Sequence, residues 1–295
     1  MQPTDPMANS SAVNPKQWPQ QPQQPQHAHH SVNHVLLDIE GSTCPVSFVV
    51  GELFPYASAK LGAYLQEHGQ EPGVKELLRA VLRSWETDDS EAAFMLLRAQ
   101  GSPDAVGPEQ LPALEAYLQL LIQEDRKLSA LKELQGLIWR QGYAEGHLRA
   151  PLFEDVPRAL RRWHGQGLVL AVYSSGSVEA QKLLYGHSND GDLRHVFSHW
   201  FDTQIGPKKE ASSYSRIAES MGCKTKDVLF ISDSCAELEA AAKAGMAVLF
   251  SVRPGNPERD TGAFRSISNF ADLNFPVGGL GSLGDDLIGR RANKT

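Results

Sequence analysis

Asp38 and Glu40, in the stretch "HVLLDIEGST", put two carboxylates two residues apart at the end of an apolar run. Three other stretches end in comparable chemistry. "LVLAVYSSGS" runs into Ser174 and Ser175, "TQIGPKKE" carries Lys208 and Lys209, and "VLFISDS" runs into Asp233. If these segments meet, three carboxylates, two hydroxyls and a lysine occupy one place. Two unit charges about 4 Å apart repel by roughly 4 kcal/mol at an effective dielectric of about 20, so such a cluster demands a cation. The donors on offer are oxygens, with no histidine and no obligatory thiolate. That set suits a hard ion such as Mg²⁺ held by one or two carboxylates, a backbone carbonyl and waters. The lysine and the serine hydroxyls are then left for an anion brought to the ion, and a phosphate fits.

Each piece also has an ordinary explanation. Asp38 and Glu40 could be a polar strand end, Ser234 and Glu237 form an S-x-x-E capping box that Asp233 merely precedes, and Ser174, Ser175 and Ser177 could cap and turn into a helix. A lysine in "PKKE" is most often solvated. What separates the catalytic reading from these is coincidence of place, since four separate segments would have to set unneeded polar groups on one edge.

The elements that must position these residues follow from the apolar periodicity. "HVLL" at 34–37 is a short continuous apolar run, as expected of a strand buried on both faces. From about 52 to 149 the pattern turns helical: Leu111, Leu114, Leu118 and Leu121 recur at three and four, as do Leu128, Leu131, Leu134 and Ile138. "DVPRALRRWHGQG" is a further helix, with Pro157 in its first turn and glycines at its end. Strands then return in alternation with helices: 168–173, a helix from about 177, 199–203, a helix from about 211, 227–232, a helix from about 236, and 247–252. This order predicts an α/β fold, a Rossmann-like parallel sheet with right-handed crossovers. The core comprises 34–51 and 150–277, and 52–149 is an inserted helical cap. The insertion boundaries lie beside strand ends, so the cap can cover the carboxyl edge of the sheet, where ligands bind in open α/β folds.

The Gln-, Pro- and His-rich segment 1–33 lacks apolar periodicity and is expected to be disordered, and the Gly-rich segment 278–295 to be flexible. A formal charge of -7 argues against nucleic acid as a partner. The longest apolar runs fall far below the roughly 18 residues of a membrane span, and no basic region followed by an apolar one marks a secretory signal. Cysteines 44, 223 and 235 are widely spaced, as reduced thiols would be. The expectation is a cytoplasmic monomer that acts on a small molecule, without a membrane or nucleic-acid partner.

At "LLDIEGSTCPVSFV", "WRQGYAEG", "VYSSGSVEAQKLLYGHS", "FDTQIGPKKEASSY" and "SVRPGNP" the chain resembles the haloacid dehalogenase superfamily of phosphatases and, more closely, the enolase-phosphatases of methionine salvage. The resemblance spans roughly residues 34–255. It implies that Asp38 is the nucleophile that forms an aspartyl-phosphate, and that Glu40 is the general acid and then the base. It implies that Asp38, Glu40 and Asp233 hold one Mg²⁺ per chain, Glu40 through its carbonyl or its carboxylate. Ser174 and Ser175 would bind phosphate oxygens and Lys208 would neutralise them. The implied reaction enolises a diketo-methylthiopentyl phosphate and then removes the phosphate; the residue that takes the carbon-bound proton is not read from the sequence. Trp139 and Tyr143 are candidates to face the methylthio group. Two departures are visible: Ser42 stands where threonine is usual, and "SDSCAE" lacks the longer acidic pattern of many relatives, which leaves Glu237 as the substitute carboxylate. The alternatives are a phosphatase of the same superfamily that lacks the enolase step, and a non-catalytic binding relative.

Overall fold

The computed structural model describes residues 32–100, 106–257 and 260–275. Most of the two expected tails lies outside them. Val32 and Asn33, at the end of the first tail, are ordered just before the sheet: Val32 is buried, and Asn33 bonds through its backbone to Asp227 and Val169.

Six parallel strands form the sheet: β1 His34–Leu37, β2 Val169–Tyr173, β3 His199–Phe201, β4 Val228–Ser232, β5 Ala247–Ser251 and β6 Ser266–Ile267. Their order is β3-β2-β1-β4-β5-β6, so β1 is central. The continuous apolar runs exist because both faces are covered. Successive side chains of a strand point to opposite faces, and the two cores divide accordingly. Val35, Leu37, Leu170, Val172, Leu229 and Ile231 face one side; Leu36, Ala171, Tyr173, Phe230 and Phe250 face the other. Helices α7 (Asp155–Gly165) and α8 (Val178–Gly186) cover the first face, with Trp163 and Tyr185 fully buried. Helices α9 (Ala211–Ser220) and α10 (Cys235–Lys243) cover the second through Tyr214, Ile217 and Leu238. The two-residue β6 carries no apolar run and has no signal in the sequence.

Between β1 and β2 the chain is helical: α1 Val46–Phe48, a π-helical turn Val49–Leu53, then α2 Phe54–His68, α3 Pro72–Glu86, α4 Glu91–Gln100, α5 Leu111–Gln123 and α6 Ser129–Ala144. The leucines that recur at three and four explain α5 and α6, since Leu111, Leu114, Leu118, Leu121, Leu131, Leu134 and Ile138 are all buried. Leu128 precedes α6 by one residue. These helices enclose an apolar cluster of their own, which includes Leu61, Leu78, Trp85, Tyr117 and Leu134. Trp85 and Tyr117 stack at 4.8 Å between centroids. Half-buried Trp139 packs against both this cluster and the first face of the sheet. Among the described residues no helix is long and apolar enough to cross a membrane.

Candidate active site

Four strand ends supply the candidate residues along one edge of the sheet. Asp38 continues the pairing of β1, its amide donating to Ile231 O of β4 at 3.0 Å. The chain then closes on itself, with the amides of Ser42, Thr43 and Cys44 all directed at Ile39 O at 2.9–3.2 Å. Ser174 follows β2 and donates its amide to Phe201 O of β3 at 3.2 Å. Buried Gln181 pins the turn beyond it, donating to Gly176 O and Phe201 O, each at 2.8 Å.

Lys208 lies on the loop between β3 and α9, which is pegged by three hydroxyls. Tyr173 Oη donates to Gly206 O at 2.7 Å, Ser213 Oγ to Pro207 O at 2.8 Å and Tyr214 Oη to Lys208 O at 2.7 Å. Thus fixed, the lysine reaches back over the sheet edge. Its Nζ is 2.7 Å from Asp38 Oδ1 and 2.8 Å from Glu237 Oε2. Ser232 Oγ bridges the same two acids, donating to Glu237 Oε2 at 3.0 Å and lying 3.4 Å from Asp38 Oδ2.

Asp233, next after β4, leans on the loop that carries Glu40. A Cβ added at Gly41 would collide with the Asp233 carboxyl, and the φ of +70° at Gly41 is itself a left-handed value that favours glycine. Glycine here is what lets the two strand ends approach.

The electrostatics reflect crowding of like charge. Burial and then the charges of Asp38 and Glu237 push the Asp233 carboxyl up to about 7. Burial and then Asp38 push Glu237 up to about 7, and the same two causes raise Glu40. Burial acts against the charge of Lys208, but the carboxylates of Asp38 and Glu237 outweigh it and hold the ammonium well above the ordinary lysine range. Four carboxyl groups thus feel one ammonium, which contacts only Asp38 and Glu237, and a further cation suits this all-oxygen donor set. Among the described residues no group of three or more His, Cys, Asp or Glu side chains is placed to hold a metal ion by itself. This is compatible with a hard ion that takes few protein ligands and keeps several waters.

The expected residues are therefore distributed unequally. Asp38 and Lys208 form one array, and Asp233 and Glu40 join it through the Gly41 contact and through shared charge. Buried Ser174 and exposed Ser175 stand on the neighbouring strand end. Three expectations change. Lys208 is not a free lysine but is paired on two sides. Ser234 is the N-cap residue of α10, yet its side chain makes no cap hydrogen bond, and Glu237 turns to Lys208 instead of completing a capping box. Ser177 is the serine that caps, accepting from Ala180 N at 3.3 Å.

Of the two aromatic candidates, Tyr143 is core: it is 4% exposed and stacks on His187. Trp139 lies nearer the surface, its Nε1 donating to Leu53 O at 2.8 Å and its ring meeting exposed Phe54 edge-on.

Sequence reasoning gave no role to Ser232, Ser251, Arg253 or Asn256. Arg253, buried between the rings of Phe153 and Phe270, grips both oxygens of Asp155 at 2.9 Å and donates to Ser42 O at 3.2 Å. The "RPGN" stretch was the available signal, because Pro followed by Gly marks a type II turn.

The family model of haloacid dehalogenase-like hydrolases matches residues 32–245. Curated relatives that match most of the chain bear the name Enolase-phosphatase E1. That of Synechococcus sp. (strain RCC307) is 52% identical over 229 residues, covering 77% of this chain and 88% of the relative. That of Synechococcus sp. (strain CC9902) is 45% identical over 243 residues, covering 82% and 98%. Among solved structures, the UTR4 protein of Saccharomyces cerevisiae is 34% identical, with a TM-score of 0.61 over 82% of this chain and 100% of that one.

Proposed function

The chain belongs to the haloacid dehalogenase-like hydrolases, where it is an enolase-phosphatase of methionine salvage, and we propose that the array around Asp38 carries the chemistry. On this reading, which the family resemblance implies, the substrate is 2,3-diketo-5-methylthiopentyl-1-phosphate and the products are 1,2-dihydroxy-3-keto-5-methylthiopentene and phosphate. The observation that carries the site assignment is the ion pair between Asp38 and Lys208 at 2.7 Å on the carboxyl edge of the sheet.

In the phosphatase step a carboxylate oxygen of Asp38 attacks phosphorus in line. The bond to the substrate oxygen breaks as Glu40 gives that oxygen a proton. Glu40, now a carboxylate, takes a proton from the water that attacks the aspartyl-phosphate, which frees phosphate and restores Asp38. Ser174 and Ser175 hold the phosphate oxygens, and Lys208, fixed by Glu237, supplies positive charge where negative charge gathers. Asp38, the Glu40 carbonyl and Asp233 would hold one Mg²⁺ per chain. When bound, that ion withdraws electron density from phosphate and ketone oxygens and so favours both hydrolysis and enol formation.

Residues 52–149 act as a cap over this edge, a division supported by their separate apolar cluster. Trp139 and Phe54 offer an apolar surface to the methylthio end.

The test follows free phosphate and enediol absorbance together, under nitrogen, with purified protein, Mg²⁺ and the diketo phosphate. Both signals are expected, and both should vanish with chelator. Phosphate without enediol would leave a phosphatase that lacks the enolase step, and neither signal would leave a non-catalytic relative.

A further inference from the structure

Asn256 is 5% exposed and lies at the end of a turn whose geometry fixes its side chain. Arg253 O accepts from Asn256 N at 3.3 Å, with Pro254 and Gly255 between them and Gly255 at a φ of +86°, a type II turn. The Asn256 Nδ2 amide donates to two carbonyls, Gly41 O at 2.9 Å and Ser251 O at 3.1 Å. Those acceptors settle which end of the amide is nitrogen, because a flipped side chain would set its oxygen against two carbonyl oxygens. The Oδ1 atom is thereby turned the other way, and it is buried without a hydrogen-bond donor. A buried acceptor left without a partner is costly and rare.

The position of this oxygen is informative. It lies 2.9 Å from the point where a Cβ on Gly41 would stand, and Asp233 Cγ lies 2.6 Å from that same point, so the two atoms are at most 5.5 Å apart. Asn256 Oδ1 thus lies beside the Gly41 backbone together with the Asp233 carboxyl.

We propose that Asn256 is a positioning residue of the metal centre: its Oδ1 accepts a hydrogen bond from a water in the coordination shell of the divalent cation held at Asp233, while its Nδ2 fixes the Gly41 carbonyl. The inference rests on the reading of Asp38, Glu40 and Asp233 as a Mg²⁺ site. A polarised, metal-bound water is a strong donor, and groups that orient the atoms around a metal are worth roughly tenfold or more in affinity. Ser251 Oγ donates to the same Gly41 carbonyl at 3.0 Å, so the carbonyl does not depend on Asn256 alone.

The experiment is calorimetric titration of the full-length protein with MgCl₂, with thermal melting of each variant alongside. Asn256→Ala is expected to weaken Mg²⁺ binding by about tenfold. Asn256→Asp keeps an oxygen in place and loses the amide donor, so it is expected to bind Mg²⁺ within threefold of the parent, or more tightly, with a lowered melting temperature. Unchanged affinity in Asn256→Ala, or a tenfold loss in Asn256→Asp, would overturn the proposal and leave Asn256 as a brace for the Gly41 loop. Asp233→Asn separates the two readings. Lost binding there is the premise, whereas binding equal to the parent would show that the metal site itself is misassigned. If Asn256→Ala does not fold, the Asp variant decides alone by the same limits.

Discussion

The ammonium of Lys208 lies 2.7 Å from Asp38 Oδ1, across 170 residues of sequence. Glu237 holds that ammonium from its other side at 2.8 Å. The proposed nucleophile and the charge that balances it are therefore one preformed unit.

Lys208→Met leaves Asp38 and Glu237 facing each other without the ammonium. Breaking such a buried pair is expected to cost about 3 kcal/mol of stability and, by removing fixed positive charge at the transferring phosphate, to lower turnover at least a hundredfold. Urea unfolding and phosphate release measure the two effects. Turnover within threefold of the parent would show that Lys208 is only structural.

Asp38→Asn removes the proposed nucleophile but keeps its shape, and Lys208 retains Glu237 as a partner. Turnover is expected to disappear while the melting temperature stays close to that of the parent. Phosphate release within tenfold of the parent would place the nucleophile elsewhere.

Arg253 spans both oxygens of Asp155 and also donates to Ser42 O and Ser268 O. A lysine carries the charge but not the planar fork. Arg253→Met is expected to cost about 3 kcal/mol by leaving half-buried Asp155 without its cation and with only the Phe270 amide as a partner, and Arg253→Lys should recover only part of that loss. Equal stability of the Lys variant and the parent, measured in denaturant, would refute the role assigned to the fork.

Asp88 supplies a pH signature in the helical block. Burial works against its charge, but hydrogen bonds from Arg126, Ser90 and Tyr117 outweigh that and lower its carboxyl to about 2. A carboxyl lowered on folding contributes stability that is fully present above its unfolded value near 4 and is lost as pH falls toward 2. Because Arg126 is 35% exposed, the contribution is discounted to about 1–2 kcal/mol. Melting curves between pH 5 and 2 should show this loss in the parent and a shallower one in Asp88→Asn. Parallel curves would remove the assignment.

The strands were legible because a strand buried on both faces leaves a continuous apolar run, as at 34–37, and the order of strands and helices then put Asp38, Ser174, Lys208 and Asp233 on one edge. The pairings inside the site were not legible. Glu237 sits at a spacing that fits a cap, and only the three-dimensional approach of the β3–α9 loop gives it Lys208 instead. Arg253 and Asp155 are 98 residues apart, and no local period records such a contact. Nor does a local pattern distinguish Trp139, which spans two apolar clusters, from Tyr143, four residues on and buried in one of them.

The central position of β1 also bears on how the molecule is assembled. Its neighbours β2 and β4 begin at Val169 and Val228, so the strand that bears Asp38 leaves the ribosome long before either partner exists. The helices between them pack on one another, α2 and α3 against α5 and α6, around an apolar cluster of their own. Once collapsed, that block draws its two ends together and turns a long loop into a short tether, which lowers the entropy cost of closing β1 onto β2. The helical insertion is thus also the device that delivers an early-made strand to partners made later.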